Sequence, residues 1–445
     1  QAAPTTTRYV APAGTDSGDC SSSGAPCRTI AYAAGQAAAG DTISIAAGIY
    51  YENVTSAKGL TFVGAGQDST IVDGSGTGRV FEVTALQSNF ADLTIRNGSA
   101  LTSATTDGGG IRAMVSLTLT NVAVISNTAT QGGGVYAYRR TIITGCNFLG
   151  NVASNGGGGG GLYAYAGAYI TNSFFITNVS GIPGGGVHLS GAASSITNTQ
   201  FISNSTYGST TYGAGVNATA TAPLSVFNSQ FFSNTSIKGA GIAAQGPVTV
   251  ADSIFSGNVA TSTSNSDGGG GLYTYKSAVI NNTQFLTNIS FGSGGGLFSR
   301  DVVTITGSLF SGNRISATNG YGGGMYLYPS VTAAAISGTQ FISNTALYLG
   351  GGLGFSLTTG RVVLTNTQFV GNRAAASDGL GGAIYAGSAT AADGITATNN
   401  TAGAAGGAIY ANSWLTLTNS YIYSNTTANG SGGGLFGSNT NAQLV

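Results

Sequence analysis

The sequence predicts an all-β parallel solenoid. Three observations carry that prediction: a motif that recurs about every 27 residues, 74 glycines in 445 residues, and a charged fraction of only 6%. An ordinary globular chain is roughly one quarter charged. The 42% hydrophobic content is enough for a long core, which excludes a disordered low-complexity chain. Two Met and two Glu leave little material for long amphipathic helices. Fourteen basic residues balance fourteen acidic ones, which argues against a nucleic-acid partner, and no apolar run is long enough to span a membrane as a helix.

Residues 1–107 form a first region, distinct in composition, with nine of the fourteen acidic residues. Cys20 and Cys27 bracket the loop in GDCSSSGAPC, a spacing that suits a local disulfide in an oxidising compartment. The stretch from Arg28 to about Ala39 reads as one short helix, expected to cap the first coil. It is followed by strands in TISIA, LTFVGA, STIVDG and RVFEV. A chain starting at Gln1 reads as a mature, exported protein, and no cap is visible at the other end.

Residues 108–445 are the repeat region. A glycine cluster followed by an aliphatic residue recurs from Ile111 to Leu435 in twelve steps of about 27 residues. Interleaved with it is F-x-x-N, whose asparagines are Asn151, Asn178, Asn204, Asn234, Asn258, Asn288, Asn313, Asn344 and Asn372. Three residues before each Phe stands Gly, Asn or Asp, the alphabet of a backbone position with positive φ, so a tight bend is expected in every repeat. Two residues before each Phe stands a small residue facing the same side. Cys146 takes that place as a buried substitute for Ser. One repeat with three short strands cannot close a core alone and must stack on its neighbours. Stacking brings like residues together, and the asparagines are expected to form an amide ladder at a turn.

GGAI at Gly381–Ile384 and Gly406–Ile409, together with F-x-x-N, resembles the paired tetrapeptide signature of the chlamydial polymorphic outer-membrane proteins. The other copies, mostly GGGL, GGGV or GGGI, are similar to repeats of secreted bacterial β-helix proteins. The resemblance covers residues 108–445 and implies a right-handed parallel β-helix of an extracellular adhesin. The membrane barrel of that family has no counterpart here.

The lyases and glycoside hydrolases built on β-helices need clustered carboxylates. The repeats hold five Asp, no Glu, and no acidic pair at one motif position. His188, the only histidine, reads as a surface residue and makes neither a metal site nor a triad by itself. No catalytic residue, metal or cofactor is expected. An outward aromatic stripe is: Tyr136, Tyr163, Tyr273, Tyr326, Tyr385 and Tyr410, with Tyr138, Tyr165, Tyr275 and Tyr328 in a second column. The expected protein is a secreted, non-enzymatic cell-surface solenoid that assembles with itself head to tail into a filament or sheath. The alternative is an adhesin that binds glycans, and a polysaccharide lyase or hydrolase ranks lower.

Overall fold

A computed structural model describes residues 5–219, 222–316 and 320–438. The chain is a parallel β-solenoid of the right-handed type. It divides into two compact units, Gln1–Ala220 and Thr221–Val445. In each unit short strands return once per repeat and pair in parallel with the same strand of the next turn. In the first unit Val135–Ala137 pairs with Leu162–Ala164, and Asn147–Leu149 with Phe174–Ile176. In the second, Leu272–Thr274 pairs with Leu297–Ser299, and Gln284–Leu286 with Leu309–Ser311. Pairing is residue on residue, so each motif position becomes a continuous file.

The bends fall at the Gly, Asn and Asp positions. Asn172, Asn282 and Asn366 have φ of 51°, 46° and 47°, and Gly145 has 64°. In the glycine clusters the first residue supplies positive φ, as at Gly132 with 57°. The second is forced by proximity, because a Cβ on Gly133 would strike the backbone of Val152 in the next turn. Each bend turns the following Phe inward. The rings of Phe148 and Phe175 stack at 4.5 Å in the first unit. In the second unit Phe231, Phe255, Phe285, Phe310, Phe341 and Phe369 stack at 4.6–4.9 Å. All of these rings are fully buried, and so is Cys146.

The asparagines form the expected ladder. Asn288 shows the pattern. Its Oδ1 accepts from the backbone N–H of Asn258 at 3.1 Å and from that residue's Nδ2 at 2.9 Å. Its own Nδ2 donates to the Phe255 carbonyl at 2.8 Å and to Asn313 Oδ1 at 2.9 Å. Both amide hydrogens and the carbonyl oxygen are thus satisfied in the interior. The same bonds run through Asn151 and Asn178 in the first unit, and through Asn313, Asn344 and Asn372 in the second. The ladder is longer than its sequence motif: Asn127 joins it in the first unit, and Asn400 and Asn425 in the second. Those three stand three residues after Val124, Ala397 and Ile422, so a search for Phe passes over them.

The single helix among the described residues, α1, is Ile30–Gln36, shorter at both ends than the expected span. Thr29 caps it, its hydroxyl accepting from Tyr32 N–H at 3.2 Å, while Asp16 binds the N–H groups of Arg28 and Thr29 and holds them outside the helix. At the far end Lys58 Nζ takes up the carbonyls of Ala34, Gly35 and Ala37. The helix packs on the strands Thr7–Val10, Thr42–Ile45 and Val54–Ser56. Beside it Cys20 and Cys27 form a disulfide.

Breaking one rung of the ladder leaves several buried groups unpaired. Asn288→Ala should therefore lower the free energy of urea unfolding by about 2–4 kcal/mol. Gln284→Ala, on the exposed side of the same turn, should change it by less than about 0.5 kcal/mol. Equal effects would mean that the ladder contributes nothing beyond ordinary packing.

Candidate functional site

On one sheet the residue after the glycine-aliphatic step points away from the core. In the first unit in-register pairing sets these residues in the file Glu82, Arg112, Tyr136, Tyr163, His188 and Asn217. Its early end is ionic. Glu82 receives Arg79 Nη1 at 2.8 Å on one carboxylate oxygen and Arg112 Nη1 at 2.6 Å on the other. Arg79 also donates to the backbone carbonyls of Thr105, Asp107 and Gly108, and so fixes the loop that carries Asp107. Burial pushes the Asp107 carboxyl above the usual carboxylate range, and the guanidiniums of Arg112 and Arg79 oppose that rise only in part. Arg79 and Arg112 thus both pair with Glu82 and both act on the Asp107 carboxyl.

The middle of the file is aromatic. Tyr136 and Tyr163 stack at 5.3 Å, and beside them Tyr138 and Tyr165 stack at 4.9 Å. Tyr136, Tyr138 and Tyr163 are half-buried, and Tyr165 is 45% exposed. Burial, with the nearby Asp107 and Tyr163, pushes the Tyr136 phenol up to about 12. Tyr163 stacks in turn on His188 at 4.8 Å.

His188 is not the expected surface residue but 8% exposed, because its ring continues the stack beneath a loop. Its Nδ1 lies 3.2 Å from the Pro183 carbonyl, with Asn217 Nδ2 at 3.3 Å and Thr219 Oγ1 3.5 Å from Nε2. Burial lowers its pKa to about 4, against a smaller upward pull from the Pro183 carbonyl.

In the second unit the corresponding file is Ala243, Tyr273, Phe298, Tyr326, Gly354, Tyr385, Tyr410 and Phe436. Here the expected exposed stripe is corrected. Tyr273 and Phe298 are fully buried and Tyr326 is 6% exposed. Loops cover them, tied down by Lys238 on Asp267 at 2.6 Å and by Arg300, which donates to the Ser266 carbonyl at 2.6 Å. The Arg300 guanidinium lies 4.3 Å from the ring of Tyr328 and 5.4 Å from that of Tyr275. Tyr385 and Tyr410 are half-buried and stack at 5.5 Å.

Sequence reasoning missed the ion pairs of Glu82 with Arg79 and Arg112 because it sought carboxylates only within the repeats and at one motif position. Aligning V-F-E with G-I-R sets Glu82 above Arg112, whereas Asp107 arrives from a loop with no fixed spacing.

No family model matches this chain, so the chlamydial resemblance carries no family assignment, and no curated protein matches either. Solved structures share the fold. Pectin methylesterase PemA from Erwinia chrysanthemi is 14% identical, covering 67% of this chain and 82% of its own, with a TM-score of 0.27. Pectate lyase Pel9A is 13% identical over 83% and 76%, with a TM-score of 0.28. The Pseudomonas phage phi297 tailspike is 11% identical over 87% and 72%, with a TM-score of 0.39. The expectation of a non-enzymatic filament or sheath subunit is corrected here. Solved solenoids that share the fold include pectin methylesterases and a pectate lyase, so the fold gives no support to a non-enzymatic role.

His188 makes stability pH-dependent. Its folded pKa is depressed, so its contribution is complete above the unfolded value near 6.5 and is lost as pH falls toward 4, where the unfolded chain binds the extra proton. His188→Phe, which keeps a ring on Tyr163, should lose about 3 kcal/mol less than the native protein between pH 7 and pH 4, measured by urea unfolding at each pH. Parallel losses in both proteins would refute a buried neutral imidazole.

Proposed function

We propose that the protein binds an extended polysaccharide along the outer face of the first unit's file, with Tyr136, Tyr163 and Tyr165 as the stacking platform. The observation that carries this reading is the pair of tyrosine stacks, half-exposed and side by side, next to a guanidinium–carboxylate cluster. Ring faces suit the apolar C–H faces of sugars, and charged donors and acceptors suit their hydroxyls. The rings recur once per rung, about 4.8 Å, comparable to the advance per sugar in an extended glycan. The Cys20–Cys27 disulfide supports work in an oxidising, extracellular setting, and covering the first coil is the role we assign to α1.

A second reading is favoured by the Asp107 carboxyl, shifted upward by burial beside Arg79 and Arg112. Asp107 is suited to donate a proton to a glycosidic oxygen, with Glu82, which binds the same two guanidiniums, as the candidate second carboxylate. In that reading the protein cleaves the glycan it binds.

Affinity electrophoresis and calorimetry across neutral and acidic polysaccharides test the binding. Tyr136→Ala and Tyr163→Ala should each weaken it roughly tenfold without lowering thermal stability comparably. No retardation by any polysaccharide would remove the proposal. For cleavage, reducing-end release should vanish in Asp107→Asn while binding persists; release unchanged in that variant would remove the second reading.

A further inference from the structure

The file of rings in the second unit is interrupted at one rung. Tyr326 is followed in register by Gly354, and Gly354 by Tyr385. Beyond the gap stacking resumes, Tyr385 lying on Tyr410 with 9° between the ring planes. One face of Tyr385 is therefore occupied by Tyr410, and the other looks across a rung with no side chain. Glycine is fixed there by close approach, since a Cβ on Gly354 would come within 2.9 Å of the Gly322 backbone nitrogen. On the opposite side Tyr326 has turned out of the stack. It stands at 60° to Phe298 and leans against Tyr321 at 5.4 Å.

The result is a cavity of about 190 Å³ lined by Tyr321, Tyr326, Leu349, Phe355, Ser356 and Tyr385. Its walls are set two rungs apart, about 9.6 Å, the thickness that one intervening ring takes in this kind of stack. Neighbouring rings of the same file lie 5.0–5.5 Å apart, so an inserted planar ring would meet the face of Tyr385 at the file's own spacing. Three tyrosines belong to the lining, and none of their hydroxyls has a hydrogen-bond partner among the described residues. They provide donors and acceptors for a ligand hydroxyl.

We propose that this slot binds a planar phenolic ring, seated at the Gly354 rung against Tyr385 with its hydroxyl among those of the lining tyrosines. The ligand takes the place that a tyrosine side chain occupies in the neighbouring turns. A puckered ring presents no flat π face and fits the spacing less well. This inference is independent of the polysaccharide reading, which concerns the first unit.

The test uses the full chain with p-cresol as the probe, by calorimetry and ligand-observed NMR. Saturable binding of one equivalent is expected, with cyclohexanol and methyl glucoside at least roughly tenfold weaker. Tyr385→Ala should weaken p-cresol binding roughly tenfold, and Ser356→Trp, placing a large side chain at an exposed edge of the slot, should abolish it with little change in thermal unfolding. The proposal is overturned by absence of saturable p-cresol binding, by equal binding of methyl glucoside, or by binding indifferent to both variants.

Discussion

From Asn127 to Asn204 in the first unit and from Asn234 to Asn425 in the second, each turn is constrained by the interior hydrogen bonding of an amide file. An asparagine side chain buried among phenylalanines is costly unless each of its polar atoms is paired, and here the partners are the asparagines of adjacent turns and the backbone around them. That arrangement works at one register only. Slipping one strand by a residue would turn Phe outward and leave the amide without acceptors, so the ladder fixes the register of the strands beside it. The glycine clusters follow from the same closeness, since turns this near one another leave no room for a Cβ at the second cluster position.

With register fixed, the outer face inherits whatever the sequence writes at each rung. Identical residues become stacks, as with Tyr136 on Tyr163, and a single departure becomes a local feature. A histidine in a tyrosine file extends the stack and is buried neutral. A glycine in the same kind of file opens a cavity. Charge is scarce, and much of it is spent where loops must be tied down: Arg79 on the loop bearing Asp107, Lys238 and Arg300 on the loop bearing Asp267. These ties also decide exposure. The tyrosines of the first unit remain open beside an ionic cluster, while Tyr273 and Phe298 are covered.

Much of this was legible in the chain itself. A period of about 27 residues determined stacking. The Gly, Asn and Asp column determined the bends, and F-x-x-N determined the ladder from Asn151 to Asn178 and beyond. These are properties of position within a repeat, and the same local chemistry recurs in every turn. Asn127, Asn400 and Asn425 escaped because the ladder needs the amide and tolerates Val, Ala or Ile where the motif has Phe. What only the tertiary structure decided concerns the loops, whose lengths vary and whose path has no period. They bring Asp107 to Arg79 and Arg112, bury His188, and cover part of the aromatic file. Repetition specifies contacts between equivalent positions. Contacts between non-equivalent positions depend on where the backbone travels outside the strands, and the repeat does not encode that path.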